Sequence, residues 1–193
     1  MGEPVRGFIW AFPRSIRASV PARWMRSAFW RRIAAFLTAP TAAFALHAMA
    51  LLMWHLPGPY DAARRSETVH AFEHVSFLGT ALMFWWVVLA PAPFRRLQLA
   101  LRLPYVVAMS LVGAAIGAVL TFASSPFYEA YLTSAPHFGF TALEDQQLAG
   151  LIMWIPGGLA YLIAAAALFV TWINGADARA DRISDLRMRP EAG

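Results

Sequence analysis

The chain contains no cysteine and no lysine, and only 14% of its 193 residues are charged. Without thiols there are neither disulfides nor thiolate ligands, so any soft-metal chemistry falls to histidine nitrogen and methionine sulfur. Without lysine, the basic charge is carried entirely by 16 arginines, which against 11 acids leave a net charge of +5. No glycine-rich phosphate loop, nucleophile elbow or His-Glu-x-x-His zinc motif occurs. Acids near histidines, such as Glu144 and Asp145, are too common a pattern to nominate a hydrolase. These absences point away from an enzyme.

What the chain has in abundance is apolar surface. A hydrophobic content of 59% and a mean hydropathy of +0.51 are too high for an ordinary soluble domain of this length. A backbone inside lipid must satisfy its own hydrogen bonds, so long apolar runs imply helices. The expected fold is an all-α, polytopic transmembrane bundle of about four spans, at residues 33–56 (interrupted by Pro40), 69–89, 105–123 and 148–173. Each meets the ~20 residues needed to cross a ~30 Å hydrocarbon core. Residues 1–32 form a basic juxtamembrane leader in which Trp10, Phe12, Trp24, Phe29 and Trp30 interleave with arginine, a composition suited to an anionic membrane face. Residues 174–193 form a basic tail.

The arginines alternate. Seven precede the first span, Arg95, Arg96 and Arg102 lie in or beside the second connection, and Arg179, Arg182, Arg187 and Arg189 lie in the tail, whereas the other two connections hold only Arg64 and Arg65. By the positive-inside rule both termini and the middle connection are cytoplasmic, and residues 57–68 and 124–147 face outward. The chain is thus expected in the inner (cytoplasmic) cell membrane as a multi-pass protein. Topology accounts for the basic charge, and no nucleic-acid partner is expected. In the third span, Gly113 and Gly117 have the spacing of a small-residue packing motif. In the fourth, Pro156-Gly157-Gly158 predicts a kink near the outer end.

On this topology every histidine falls in the outer half. His55 ends the first span and His70 begins the second; His74 lies ~6 Å deeper than His70 on the same stripe, and His47 lies ~12 Å below His55. His137, Glu144, Asp145, Gln146 and Met153 belong to the outer loop or the outer start of the fourth span. Polar groups are costly at membrane depth, so four histidines between residues 47 and 74 call for a reason. Two imidazoles at i, i+4 on one helix, with an antiparallel neighbour bearing His55, are an arrangement that converges on a metal. Histidine with methionine and no cysteine favours copper(I) over zinc, with Met49, Met53, Met83 and Met153 as soft donors. Glu73 does not share the 70/74 face closely and reads as a group that orients a ligand from behind. A His-x-x-x-His pattern alone is weak, and tryptophan and methionine stripes have an ordinary explanation in packing and the interfacial belt.

Three blocks carry a resemblance: His47 with Trp54-His55-Leu56-Pro57 and Tyr60; His70-x-x-Glu73-His74-x-x-Phe77 with Phe84-Trp85-Trp86; and Asp145-Gln146-Gln147-x-x-Gly150-x-x-Met153-Trp154-x-Pro156-Gly157-Gly158. In order, over roughly residues 33–173, they resemble the CtaG family of cytochrome c oxidase assembly factors. The resemblance implies a membrane protein that matures haem-copper oxidases and supplies copper to them, with oxidase subunits and the bilayer as partners. The expected metal set is His47, His55, His70, His74 and Met153, with Glu73 and Asp145 supporting it. Family members carry further spans before the first histidine block, where this chain has its basic leader, so the resemblance implies a shortened member or missing N-terminal spans. Two other readings stay open: a small b-type cytochrome in which two histidines ligate haem between helices, and a purely structural partner of oxidase subunits.

Overall fold

The computed structural model describes residues 27–91 and 94–188; most of the basic leader and the end of the tail lie outside these. All regular structure among the described residues is helical: α1 (Ala28–Leu37), α2 (Pro40–Trp54), α3 (Pro57–Arg65), α4 (Glu67–Leu89), α5 (Leu99–Thr121), α6 (Ala130–Ser134), a short 3-10 turn (Ala135–Phe138) and α7 (Ala142–Met188).

The expected first span is not one helix. α1 ends as Thr38 donates both its N–H and its hydroxyl to the Ala34 carbonyl. Ala39, the residue before Pro40, is extended (φ −67°, ψ 135°), as proline requires of its predecessor. The axis turns by 66° there. α2, at 15 residues, rises only ~22 Å, so three helices (α4, α5 and the long α7) are span-length by themselves, and four spans result when α1 and α2 count as one broken crossing.

Proline at N1 starts α3 as well, so the connection read as a loop is largely helical. Ser66 caps α4 by accepting from the Val69 N–H (3.5 Å), with Glu67 in the first turn, where a carboxylate complements the helix dipole. α7 opens on a capping box: the Glu144 carboxylate accepts from the Thr141 N–H (2.8 Å) and the Thr141 hydroxyl accepts from the Glu144 N–H (3.2 Å). It then runs unbroken through Pro156 and through residue 174, where a separate tail was expected.

α5 and α7 make the most extensive helix pair, followed by α2 with α4, and α3 folds back on α4. Half of the glycine motif carries the α5–α7 contact. A Cβ at Gly117 would stand 2.8 Å from the Trp154 Cβ, and one at Gly150 would stand 2.8 Å from the Gly117 carbonyl oxygen, whereas Gly113 has open space. Phe84, Val88, Val106 and Met109 form the core between α4 and α5, with Phe84 stacked on Tyr105 at 5.0 Å.

Side-chain ties define two opposite ends. At one, Arg96 donates to the Ala35 carbonyl (2.8 Å) and Tyr105 to the Pro40 carbonyl (2.8 Å). At the other, Tyr128 donates to the His55 carbonyl (3.0 Å) and the Ala130 N–H to Asp61 (3.3 Å). The arginine-bearing second connection is therefore at one end, and α3 with the 122–141 connection is at the other.

Candidate metal centre

His70, Glu73 and His74 share the first turns of α4, and each offers one ligand atom within 4.8 Å of the others. The two Nε2 atoms are 2.7 Å apart and the ring centroids 4.6 Å apart, so one Nε2–H donates to the other nitrogen. Two nitrogens at ~2.0 Å from a tetrahedral ion stand about 3.3 Å apart, so a small rotation of either ring admits a metal. Both imidazoles are exposed and Glu73 is half-buried. The position of Glu73 differs from the sequence expectation: the i+3 turn brings its carboxylate into the donor group itself.

The turn bearing these donors is anchored from behind. Ser76 donates to the Glu73 carbonyl (2.7 Å) and accepts from the Trp54 indole N–H (2.7 Å). Trp54 is 4% exposed and meets Phe72 edge-on at 6.0 Å. The indole on α2 therefore fixes the turn of α4 that presents the histidines.

His47 lies elsewhere. The Thr80 hydroxyl donates to the Ser76 carbonyl (2.7 Å), which leaves its oxygen to accept from His47 Nδ1–H (3.0 Å). The other nitrogen, Nε2, accepts from the Tyr161 hydroxyl (3.4 Å). With both nitrogens engaged and the residue buried, His47 ties α2, α4 and α7 together as a satisfied interior polar group.

His55 takes a third position, at the C-cap of α2. Its Nδ1 is 2.7 Å from the Leu51 carbonyl; a carbonyl only accepts, so Nδ1 carries the proton and Nε2 holds the lone pair of the neutral ring. His55 lines a cavity of about 200 Å³ together with Asp145, Met153, Tyr60, Tyr128 and Tyr131. Met153 is half-buried and packs against Ile116, Leu120 and Tyr128, so it faces the bundle. Tyr60 stacks on Tyr128 at 4.0 Å, and its hydroxyl is hydrogen-bonded to that of Tyr131. Burial, then the neighbouring Tyr131 and Asp61, push the Tyr128 phenol up to about 12. Gln146, 3% exposed, accepts from the Phe127 N–H (2.6 Å), while Gln147 donates to the Ala123 carbonyl (3.0 Å), so the paired glutamines hold the 122–129 connection over the cavity.

The structure thus brings together His70, Glu73 and His74; places His55, Met153 and Asp145 around one cavity; and sets His47 apart in the interior. Met49 and Met53 are exposed, and His137 is exposed on the 3-10 turn. The supporting residues Ser76, Thr80, Tyr128, Tyr131, Asp61 and Tyr161 were not singled out from the sequence. Ser76 and Thr80, two hydroxyls one turn apart in a span, were the available signal.

Comparison with curated proteins and with solved structures yields no match. The family described as cytochrome c oxidase caa3 assembly factor, Caa3_CtaG, matches residues 1–175, which takes in the leader, all five histidines and the span-length part of α7. The chain belongs to the Caa3_CtaG family of cytochrome c oxidase assembly factors.

Proposed function

We propose that the chain carries copper as cargo on His70, Glu73 and His74 and hands it to a cytochrome c oxidase subunit in the same membrane. The observation that carries this reading is the convergence of two imidazoles and a carboxylate within 4.8 Å on an exposed helix face. Three protein donors leave a position open, as transfer from one protein to another requires. Imidazole and carboxylate bind copper(II) ahead of the other first-row divalents. His55 Nε2 and the Met153 thioether, on the cavity with Asp145, supply softer donors suited to copper(I). With the arginine-rich end in the cytoplasm, the three donors face the outer side of the inner membrane. The haem alternative asks for axial imidazoles on facing helices; His70 and His74 share one helix, and both nitrogens of His47 are engaged.

Metal analysis and a visible spectrum of copper-loaded, purified protein test the reading. The wild type should retain copper and show no Soret band, and H70A/H74A should lose most of that copper. A Soret band would replace the copper reading with the cytochrome one. Copper content unchanged in the double variant would remove the site.

A further inference from the structure

Arg102, in the first turns of α5, is 5% exposed. Its Nη1 donates to the Val88 carbonyl (2.8 Å) and its Nε to the Leu97 carbonyl (3.2 Å), so the end of α4 and the following connection fix the plane of the guanidinium. Its Nη2 is buried and makes no hydrogen bond. A buried guanidinium keeps its charge, and a buried charge without a counterion is costly. Apart from Asp177, Asp181 and Asp185 late in α7, the chain has few acids toward this end: residues 4–60 and 74–128 contain no aspartate or glutamate, and among the described residues Arg102 donates to two carbonyls and to no carboxylate. Instead, Arg95 lies near enough to repel it, and Arg96, exposed beside Arg95, reaches across to the end of α1.

We propose that Arg102 and Arg95 bind the phosphate oxyanion of an anionic phospholipid headgroup at the arginine-bearing end of the bundle. Arg102 supplies the desolvated Nη2 donor, held in place by two carbonyls, and Arg95 supplies the second charge. Guanidinium groups suit phosphate oxygens through charge-assisted hydrogen bonds. A lipid is favoured over free phosphate because the surroundings are those of a headgroup layer. α1 leaves the bundle at 66° with Phe29 and Phe36 exposed by 63% and 66%. Arg96 pins that helix beside the site, so its aromatic side chains lie where acyl chains meet headgroups. The site is at the opposite end from His70 and His74 and is independent of the metal reading.

The test uses the full chain in nanodiscs of phosphatidylcholine alone or with phosphatidylglycerol, read by native mass spectrometry for retained lipid and by thermal midpoint. The wild type should retain phosphatidylglycerol and melt higher in its presence. R95Q, an exposed change that leaves the fold intact, should weaken retention about ten-fold, and R102Q should abolish it. Should R102Q fail to fold, R95Q decides alone. Equal retention of the two lipids, or phosphatidylglycerol retention unchanged in R95Q, would overturn the proposal. A matching rise in midpoint with inorganic phosphate in phosphatidylcholine, without phosphatidylglycerol retention, would overturn the lipid assignment in favour of a free anion.

Discussion

The histidines do different work because their nitrogens are differently occupied. His47 satisfies Thr80 and Tyr161 at once, so H47A leaves a cavity and two polar groups without a partner, and should destabilise the protein by about 2–4 kcal/mol. Thermal unfolding in detergent checks this, with copper retention expected to stay at the wild-type level. H74A, at an exposed position, should do the reverse: stability nearly unchanged, copper retention lowered. Tyr128 gives a pH signature of its own. Its pKa is raised from 10.0 to about 12 in the folded protein, so the stability linked to the neutral phenol is fully present below pH 10 and falls as pH rises toward about 12. Tyrosinate absorbance followed alongside unfolding should show late ionisation in the folded protein, lost in Y128F. From the sequence, histidine spacing was enough to pair His70 with His74. It was not enough to separate His47 from a ligand, because that depends on hydroxyls at Thr80 and Tyr161, brought close only by packing of helices far apart in the chain.

Element boundaries follow local chemistry closely where a cap or proline decides them. Pro40, Pro57, Ser66 and the Thr141/Glu144 box each start a helix, and all are readable from composition. The 66° turn between α1 and α2 was legible as an interruption at Pro40 but not as a change of direction, since the direction is set by Thr38 closing α1 and by Arg96 holding its end. The paired glycines illustrate the same limit: spacing offers Gly113 and Gly117 equally, and only the approach of α7 selects the second. G117A must push against the Trp154 Cβ at 2.8 Å and the Gly150 carbonyl at 3.1 Å, and should cost about 1–3 kcal/mol. G113A, with open space around it, should stay within about 0.5 kcal/mol of the wild type. Unfolding of the two variants side by side measures the difference.

As a whole, the molecule separates its chemistry by end. Arg95, Arg96 and Arg102 gather at one end, and the exposed imidazoles, Glu73 and the tyrosine-lined cavity at the other. The positive-inside rule puts the basic end in the cytoplasm as an expectation, under which a cysteine replacing Arg65 should react with an impermeant thiol reagent from outside and one replacing Gln98 should not; reversed labelling would place the donors on the cytoplasmic side. The division of the expected ligands into an exposed trio, a cavity set and an interior tie was beyond sequence reach, because depth along a helix does not specify the direction a side chain faces. The delivery proposed for the exposed trio would be seen in the recipient. The most direct measurement is the copper content of cytochrome c oxidase purified from cells whose only copy of this protein is H70A/H74A, with accumulation of the variant verified by immunoblot. Oxidase that contains its haem but lacks most of its copper is the predicted result; oxidase with a full complement of copper would contradict the assignment of cargo binding to His70, Glu73 and His74.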